Sequence, residues 1–341
     1  MDSSILLILI QDGIVNGAIY GLLALCLVLV FAVTQVILIP QGEFVSFAAL
    51  TYATLDLGHV PASLYLLGGL GLAAFLRAMW GIRGRAILWL ALETLVLPAA
   101  IALVTIWLAP LKPGVAIEAA LAVAIVAPMA PYLYRIAFQP LAEASVLVLL
   151  IAAVGVHLAM TGLGLLSFGP EGSRGPSFSD SQFNLGPVDI SGQALWILGL
   201  AVLSMIALYV FFEFTLLGTA LRATAVNRLG ARLVGIRTTQ SGLIAFSLAG
   251  VIGALSGVLI APLTTVYYDG GFLIGLKGFV AAIVGGLASY PIAIIAALAV
   301  GIVESFSSFW ASAFKEVIVF AVIIPVLLWR SLQHRQTEDE E

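Results

Sequence analysis

ASVLVLLIAAVGVHLAMTGLGLLSF, residues 144–168, is the stretch whose reading decides the fold. It carries one strongly polar side chain, His157, and no Asp, Glu, Lys or Arg. As a helix rising 1.5 Å per residue it reaches about 37 Å, enough to cross a hydrocarbon core of about 30 Å. The rest of the chain has the same character. Of its 341 residues, 62% are hydrophobic and 9% charged, against roughly 45–50% and 25% in soluble domains. Mean hydropathy is +1.16. A water-soluble fold is excluded, and the sequence reads as an all-α polytopic membrane protein.

Turn signals divide the chain into eleven apolar segments, near 5–33, 36–56, 61–79, 86–109, 115–135, 145–167, 192–212, 240–262, 275–289, 291–310 and 315–330. Those at 36–56 and 275–289 are short and broken by glycine and proline, which makes them candidates for incomplete crossings. The expectation is therefore about 9–11 transmembrane or re-entrant helices in one domain over 1–330. The first segment has no basic residue before its apolar run, so a cleaved signal peptide is not expected. Ten of the fourteen lysines and arginines fall in connections of one parity: Arg77, Arg83, Arg85, Arg135, Arg222, Arg228, Arg232, Arg237, Arg330 and Arg335. The positive-inside rule makes that side cytoplasmic. The N-terminus is then outside, and an odd number of spans puts the C-terminus inside.

Two connections stand out. Residues 168–191 are rich in glycine, proline and serine, and Glu171, Asp180 and Asp189 outweigh Arg174 there. This reads as a flexible external loop. Residues 216–237 instead carry an amphipathic pattern. Leu217, Leu221, Ala225, Leu229 and Leu233 recur every four residues with the arginines off that stripe. Gly218, Gly230 and Gly235 punctuate it, so a short helix of about ten residues is expected. A stripe of leucine beside arginine suits docking into a groove on a cytoplasmic partner; lying flat on anionic lipid is the alternative. The tail over 331–341 ends in Glu338-Asp339-Glu340-Glu341 and reads as solvated and disordered.

Motifs for covalent chemistry are missing. There is no phosphate loop of the GxxxxGK[ST] type and no GxSxG element. Cys26 is the single cysteine, and His59, His157 and His334 lack metal-ligand spacing, so no resident metal or cofactor is expected. A net charge of −4 gives no reason to expect a nucleic-acid partner. Polar residues inside apolar segments are the better clues, because they are costly there and tend to be functional. Asn16, Gln41, Glu43 and His157 are the candidates for a translocation pathway. Each has a structural alternative: interhelical hydrogen bonding for Asn16 and His157, a helix start at Pro40-Gln41-Gly42-Glu43. Gly13, Gly17 and Gly21 read as a close-packing face. Lys277, Glu304 and the Lys315-Glu316 pair read as interfacial snorkelling or mutual pairing.

Several stretches, in order, resemble the permease subunits of branched-chain amino-acid ABC importers, specifically the LivH-type member. Asn16-Gly17-Ala18-Ile19-Tyr20-Gly21-Leu22-Leu23-Ala24-Leu25 is similar to that family's opening helix. Gln41-Gly42-Glu43-Phe44 stands where the family has a His-Gly-Glu element. Leu217-Gly218-Thr219-Ala220-Leu221-Arg222-Ala223 through Asn227, then Leu233-Val234-Gly235-Ile236, resembles the loop that docks onto the ATPase. Leu276-Lys277-Gly278-Phe279 through Gly285-Gly286-Leu287 resembles a late Gly-Gly helix. Leu38-Ile39-Pro40-Gln41 departs from the usual Asn-Phe-Ala-His, and residues 80–112 look like an insertion worth about one span.

The resemblance implies a permease subunit in a bacterial inner membrane that performs no chemistry of its own. A second permease subunit of the LivM type would complete the pathway. Two cytoplasmic ATPases would bind ATP and Mg, and an extracytoplasmic solute-binding protein would deliver the ligand. Gly218, Leu221, Arg222, Asn227, Arg228, Leu229, Arg232 and Gly235 would form the coupling element. Branched-chain or other neutral amino acids lead as substrates; urea and short amides, carried by related permeases, stay open. A self-sufficient secondary transporter is the competing class. It would need ionisable groups deep in the spans, and the sequence suggests few.

Overall fold

The computed structural model describes residues 3–79, 85–184, 189–287 and 289–321 and positions 324, 325 and 328. The tail at 331–341 lies outside the described residues. In chain order the helices are α1 (Ser3–Thr34), α2 (Gln41–Asp56), α3 (Ser63–Met79), α4 (Ala86–Leu111), α5 (Val115–Leu141), α6 (Val146–Phe168), α7 (Gly192–Phe214), α8 (Leu216–Val226), α9 (Arg228–Leu233), α10 (Thr238–Ile260), α11 (Gly270–Val284), α12 (Tyr290–Trp310) and α13 (Lys315–Ala321). Seven of these, α1, α4, α5, α6, α7, α10 and α12, are long and apolar enough to cross a bilayer. A short hairpin, β1 (Gln182–Asn184) with β2 (Asp189–Ser191), is the other regular element among the described residues.

Burial sorts the helices. α1 is apolar on every side, and from Val15 to Val33 nearly all its side chains are buried. A helix without a polar face belongs at the centre of a bundle. α12, α10, α11 and α7 surround it. By contrast α4, α6 and α7 turn large apolar side chains outward, among them Trp89, Leu103 and Trp107, then Leu147, Ile151 and Leu158, then Leu203 and Phe214. Apolar surface on this scale suits lipid rather than water.

Two crossings depend on missing side chains. Gly17 of α1 lies against Leu298 and Gly301 lies against Gly13 and Gly17, so α1 and α12 meet backbone to backbone. Gly42 of α2 and Gly271 of α11 face one another in the same way, and the Gly271 N–H donates to Ser46 Oγ at 3.1 Å. Without a hydrophobic drive between helices in lipid, such close approach is the main source of packing energy. The chain turns after α1 at Gln35 (φ 61°), and α2 begins inside the bundle, where Gln41 meets α10.

The bundle has two distinct ends. At one, residues 168–191 meet the 261–269 connection: Arg174 donates twice to the Pro262 carbonyl, at 2.8 and 2.6 Å. Ser173 bridges Val266, and the Tyr52 hydroxyl donates to the Pro176 carbonyl. The connection expected to be flexible is thus strapped down over Ser173–Pro176. At the other end lie Gln35, residues 139–145, α8 and α9.

Candidate functional site

A cavity of about 680 Å³ lies between α1, α10, α11, α12 and α13, in the half of the bundle that carries the 168–191 connection. Its charged lining joins four helices. Lys277 Nζ donates to Glu304 Oε1 at 2.5 Å and to Glu316 Oε1 at 3.2 Å. The Tyr20 hydroxyl donates to Glu304 Oε2 at 2.5 Å, and the Lys277 ammonium sits 5.7 Å from the Tyr20 ring centre. Side chains of Lys277 and Glu304 are only 6% and 9% exposed. A charge so buried is tolerable only when paired and hydrogen-bonded. Both Glu304 oxygens are satisfied; Glu316 Oε2 is buried without a partner. Asp12, Asn16 and Lys315 add to the polar lining, with Thr264, Thr265, Ser305 and Ser308, while Ile260, Leu263, Leu273 and Ile274 form an apolar wall.

Of the two readings of Lys277, Glu304 and the Lys315-Glu316 pair, mutual pairing is the one the structure bears out, with Lys277 at the centre of a buried network. Position alone held the signal, since an ionisable residue inside a span is functional by default and demands a partner.

The four pathway candidates separate. Asn16 lines the cavity. Gln41 instead donates to the Ala249 carbonyl at 3.1 Å and packs over Gly253, pinning the start of α2 to α10. Glu43 and His157 form their own pair, Oε1 to Nδ1 at 2.6 Å, with Glu43 buried and the imidazole stacked on Phe272. That pair ties α6, otherwise largely exposed, to α2. It does not line the cavity.

At the opposite end, residues 215–237 fold as an elbow rather than one helix. Thr215 caps α8, accepting from the Gly218 N–H at 3.0 Å, and Asn227 caps α9, accepting from the Gly230 N–H at 2.8 Å. Side-chain oxygens at these positions satisfy otherwise unpaired helix-start donors. A Cβ at Gly218 would run into the Phe211 carbonyl, so the tight turn out of α7 needs glycine. Gly235 closes the elbow at φ 88°. The break at Asn227 splits the leucine stripe. Leu221 is buried against the bundle, while Leu217, Leu229 and Leu233 are 55%, 68% and 81% exposed, with Leu216, Val226 and Val234 beside them.

The arginines are already engaged. Arg222 pairs with Glu213 at 2.7 Å, Arg228 donates to the Ala142 carbonyl at 2.9 Å, and Arg232 reaches Glu143 at 3.0 Å. Their first role is to fasten the elbow to α7 and to the α5–α6 connection. The exposed surface of the elbow is mixed, with Leu216, Leu217, Leu229, Leu233 and Val234 beside the partly exposed Arg222 and Arg232.

A helical bundle with seven candidate spans, a charged cavity towards one end and an elbow with exposed leucines at the other is an all-α polytopic membrane protein. The chain belongs to the family of branched-chain amino acid transport system permease components, which matches residues 9–327. It is similar to the high-affinity branched-chain amino acid transport system permease protein LivH of Escherichia coli (strain K12), 32% identical over 203 residues, covering 57% of this chain and 65% of that protein. It is also similar to the permease protein BraD of Pseudomonas aeruginosa, at 29% identity over 58% of this chain and 66% of that one. A probable LivH of Methanocaldococcus jannaschii is 29% identical over 57% of this chain and 64% of its own length. The match thus spans about two thirds of these curated relatives. No solved structure matches the chain.

Proposed function

We propose that this chain is the membrane-spanning subunit of an ABC importer for branched-chain or other neutral amino acids. The α8–α9 elbow carries the reading. Leu216, Leu217, Leu229, Leu233 and Val234 are exposed apolar side chains on a short, capped element that Arg222, Arg228 and Arg232 tie to the bundle. A lipid-facing helix would have no need of the arginine fastenings; a lever that passes on a partner's motion would. ATP and Mg belong to two cytoplasmic ATPase subunits docked on this elbow, which faces the cytoplasm by its arginines. The N-terminus and the 168–191 connection then face outward, where a solute-binding protein delivers its cargo. A second permease subunit completes the pathway, and the chain performs no covalent chemistry itself.

Affinity purification of the tagged chain from its native cell tests this. Recovery of two ATPase subunits is expected, and a chain isolated without any ATPase would overturn the reading. The buried Lys277–Glu304–Glu316 network favours one competitor, an ion-coupled transporter that works alone. Uptake that proceeds without ATP would decide for it.

A further inference from the structure

We infer that the pocket between α9 and the start of α6 binds the phosphate of an anionic phospholipid. The inference needs only that the chain spans a membrane, and it stands whether or not ATPases dock on the elbow. The end of α1, residues 142–146 and α9 border a cavity of about 390 Å³. Three charged side chains line it: Arg228, Arg232 and Glu143. Arg232 is matched by Glu143 at 3.0 Å. Arg228 is half-buried and donates from Nη1 to the neutral Ala142 carbonyl at 2.9 Å, and it pairs with no carboxylate among the described residues. Two arginines against one glutamate leave the lining with one positive charge in excess. A half-buried guanidinium without a counter-charge favours any anion brought to it.

Donors remain for that anion. A guanidinium presents its N–H groups in a planar fork that matches two phosphate oxygens. Arg228 spends Nη1 on Ala142, and its Nη2 donates to no described residue. Arg232 spends Nε on Thr238 and Nη1 on Glu143, which leaves its Nη2 as well. The Ser145 hydroxyl at the same rim makes no capping bond to α6. A phosphodiester, with its single charge, brings the lining to neutrality. The surface leading out of the pocket identifies the carrier of that phosphate as a lipid. Val146 and Leu229 also line it, and they are 41% and 68% exposed. Beyond Val146, α6 buries only Leu149, Ala153, Met160 and Gly164, so acyl chains can lie along a helix that is apolar and open on most sides. A basic pocket at the end of a span, with apolar surface running from it, is the pattern of headgroup recognition. Zwitterionic lipids fit less well, because their own cation adds to a lining that is already positive. Leu216, Leu217, Leu233 and Val234 lie outside the pocket and stay available to a cytoplasmic partner.

The test is native mass spectrometry of the full chain in detergent, titrated with phosphatidylglycerol or with phosphatidylcholine of identical acyl chains. Phosphatidylglycerol is expected to bind about tenfold or more tightly than phosphatidylcholine. Arg228→Gln should erase that preference. Glu143→Gln, at a side chain 79% exposed, removes the negative charge from the lining and should tighten phosphatidylglycerol several-fold. Such a gain is not something a misfolded variant produces. A third arm adds inorganic phosphate, which should displace the lipid only weakly because it has no acyl chains. Equal binding of the two lipids, a preference unchanged in Arg228→Gln, or no gain in Glu143→Gln would overturn the proposal. Displacement by inorganic phosphate as readily as by free phosphatidylglycerol would do the same, making this a site for soluble anions. Phosphatidylglycerol binding only by a chain truncated after Arg330 would also overturn it, giving the pocket to the acidic end at Glu338-Asp339-Glu340-Glu341.

Discussion

Replacing Lys277 by methionine tests the buried network at its centre. The substitution keeps most of the side-chain volume and removes the ammonium shared by Glu304 and Glu316. Glu304, 9% exposed, would keep only its bond from Tyr20 and sit as an uncompensated charge. Breaking a buried pair this way costs about 3–5 kcal/mol, or roughly two to three and a half powers of ten in the folding equilibrium. Glu316 adds little, because at 32% exposure water can reach it. Changing Glu304 to glutamine as well removes the stranded charge, so the double variant Lys277→Met, Glu304→Gln should be less damaged than the two singles added together. A coupling of about 1.5–3 kcal/mol is expected, near the top of the range for residues in direct contact. The assay is reversible unfolding in mixed detergent micelles for the four members of the cycle. Additive losses, with no coupling beyond about 0.5 kcal/mol, would refute the claim that these side chains form one buried pair.

Four further outcomes follow from particular contacts. Gly271→Val should abolish a monodisperse product, because any Cβ at this site collides with the Gly42 carbonyl and Ser46 Oγ; size-exclusion chromatography reads it. His157→Leu should destabilise the fold by about 3 kcal/mol by stranding the buried Glu43, and the further change Glu43→Gln should restore part of that loss in the same unfolding assay. On the elbow, Leu221→Ala should cost stability, about 2–5 kcal/mol, because Leu221 is buried in its own bundle. Leu229→Glu with Leu233→Glu, both exposed, should leave the fold intact but lose the ATPases in a pull-down. Charge reversal at Arg228 and Arg232 would be a poorer probe, since it also breaks their bonds to Ala142 and Glu143.

Much of the architecture was legible from hydropathy, because crossing a bilayer imposes a length and a composition that local sequence must satisfy. The expected segment at 145–167 is α6, Val146–Phe168, and the small-residue face at Gly13, Gly17 and Gly21 is where α1 meets α12. Contacts between distant segments were not legible. Tyr20 and Glu304 lie 284 positions apart, and Lys277 and Glu316 come from helices whose apolar patterns say nothing of their mutual rotation. For α8 and α9 the fourfold recurrence of leucine suggested one stripe. Periodicity could not see that Asn227 caps a new helix and turns Leu229 and Leu233 away from Leu221. The capping signal itself was present as Asn227 three residues before Gly230, a start pattern that the regular leucines masked.

The energy source for transport is the most direct test of the account. Vesicles containing the chain with its co-purified subunits, and with proton and ion gradients collapsed by ionophores, would be given tritiated leucine and the binding protein from the same cells. The account predicts leucine accumulation when ATP is sealed inside with the ATPases and none with a non-hydrolysable analogue. Accumulation driven by an imposed proton or sodium gradient, with no ATP present, would contradict it.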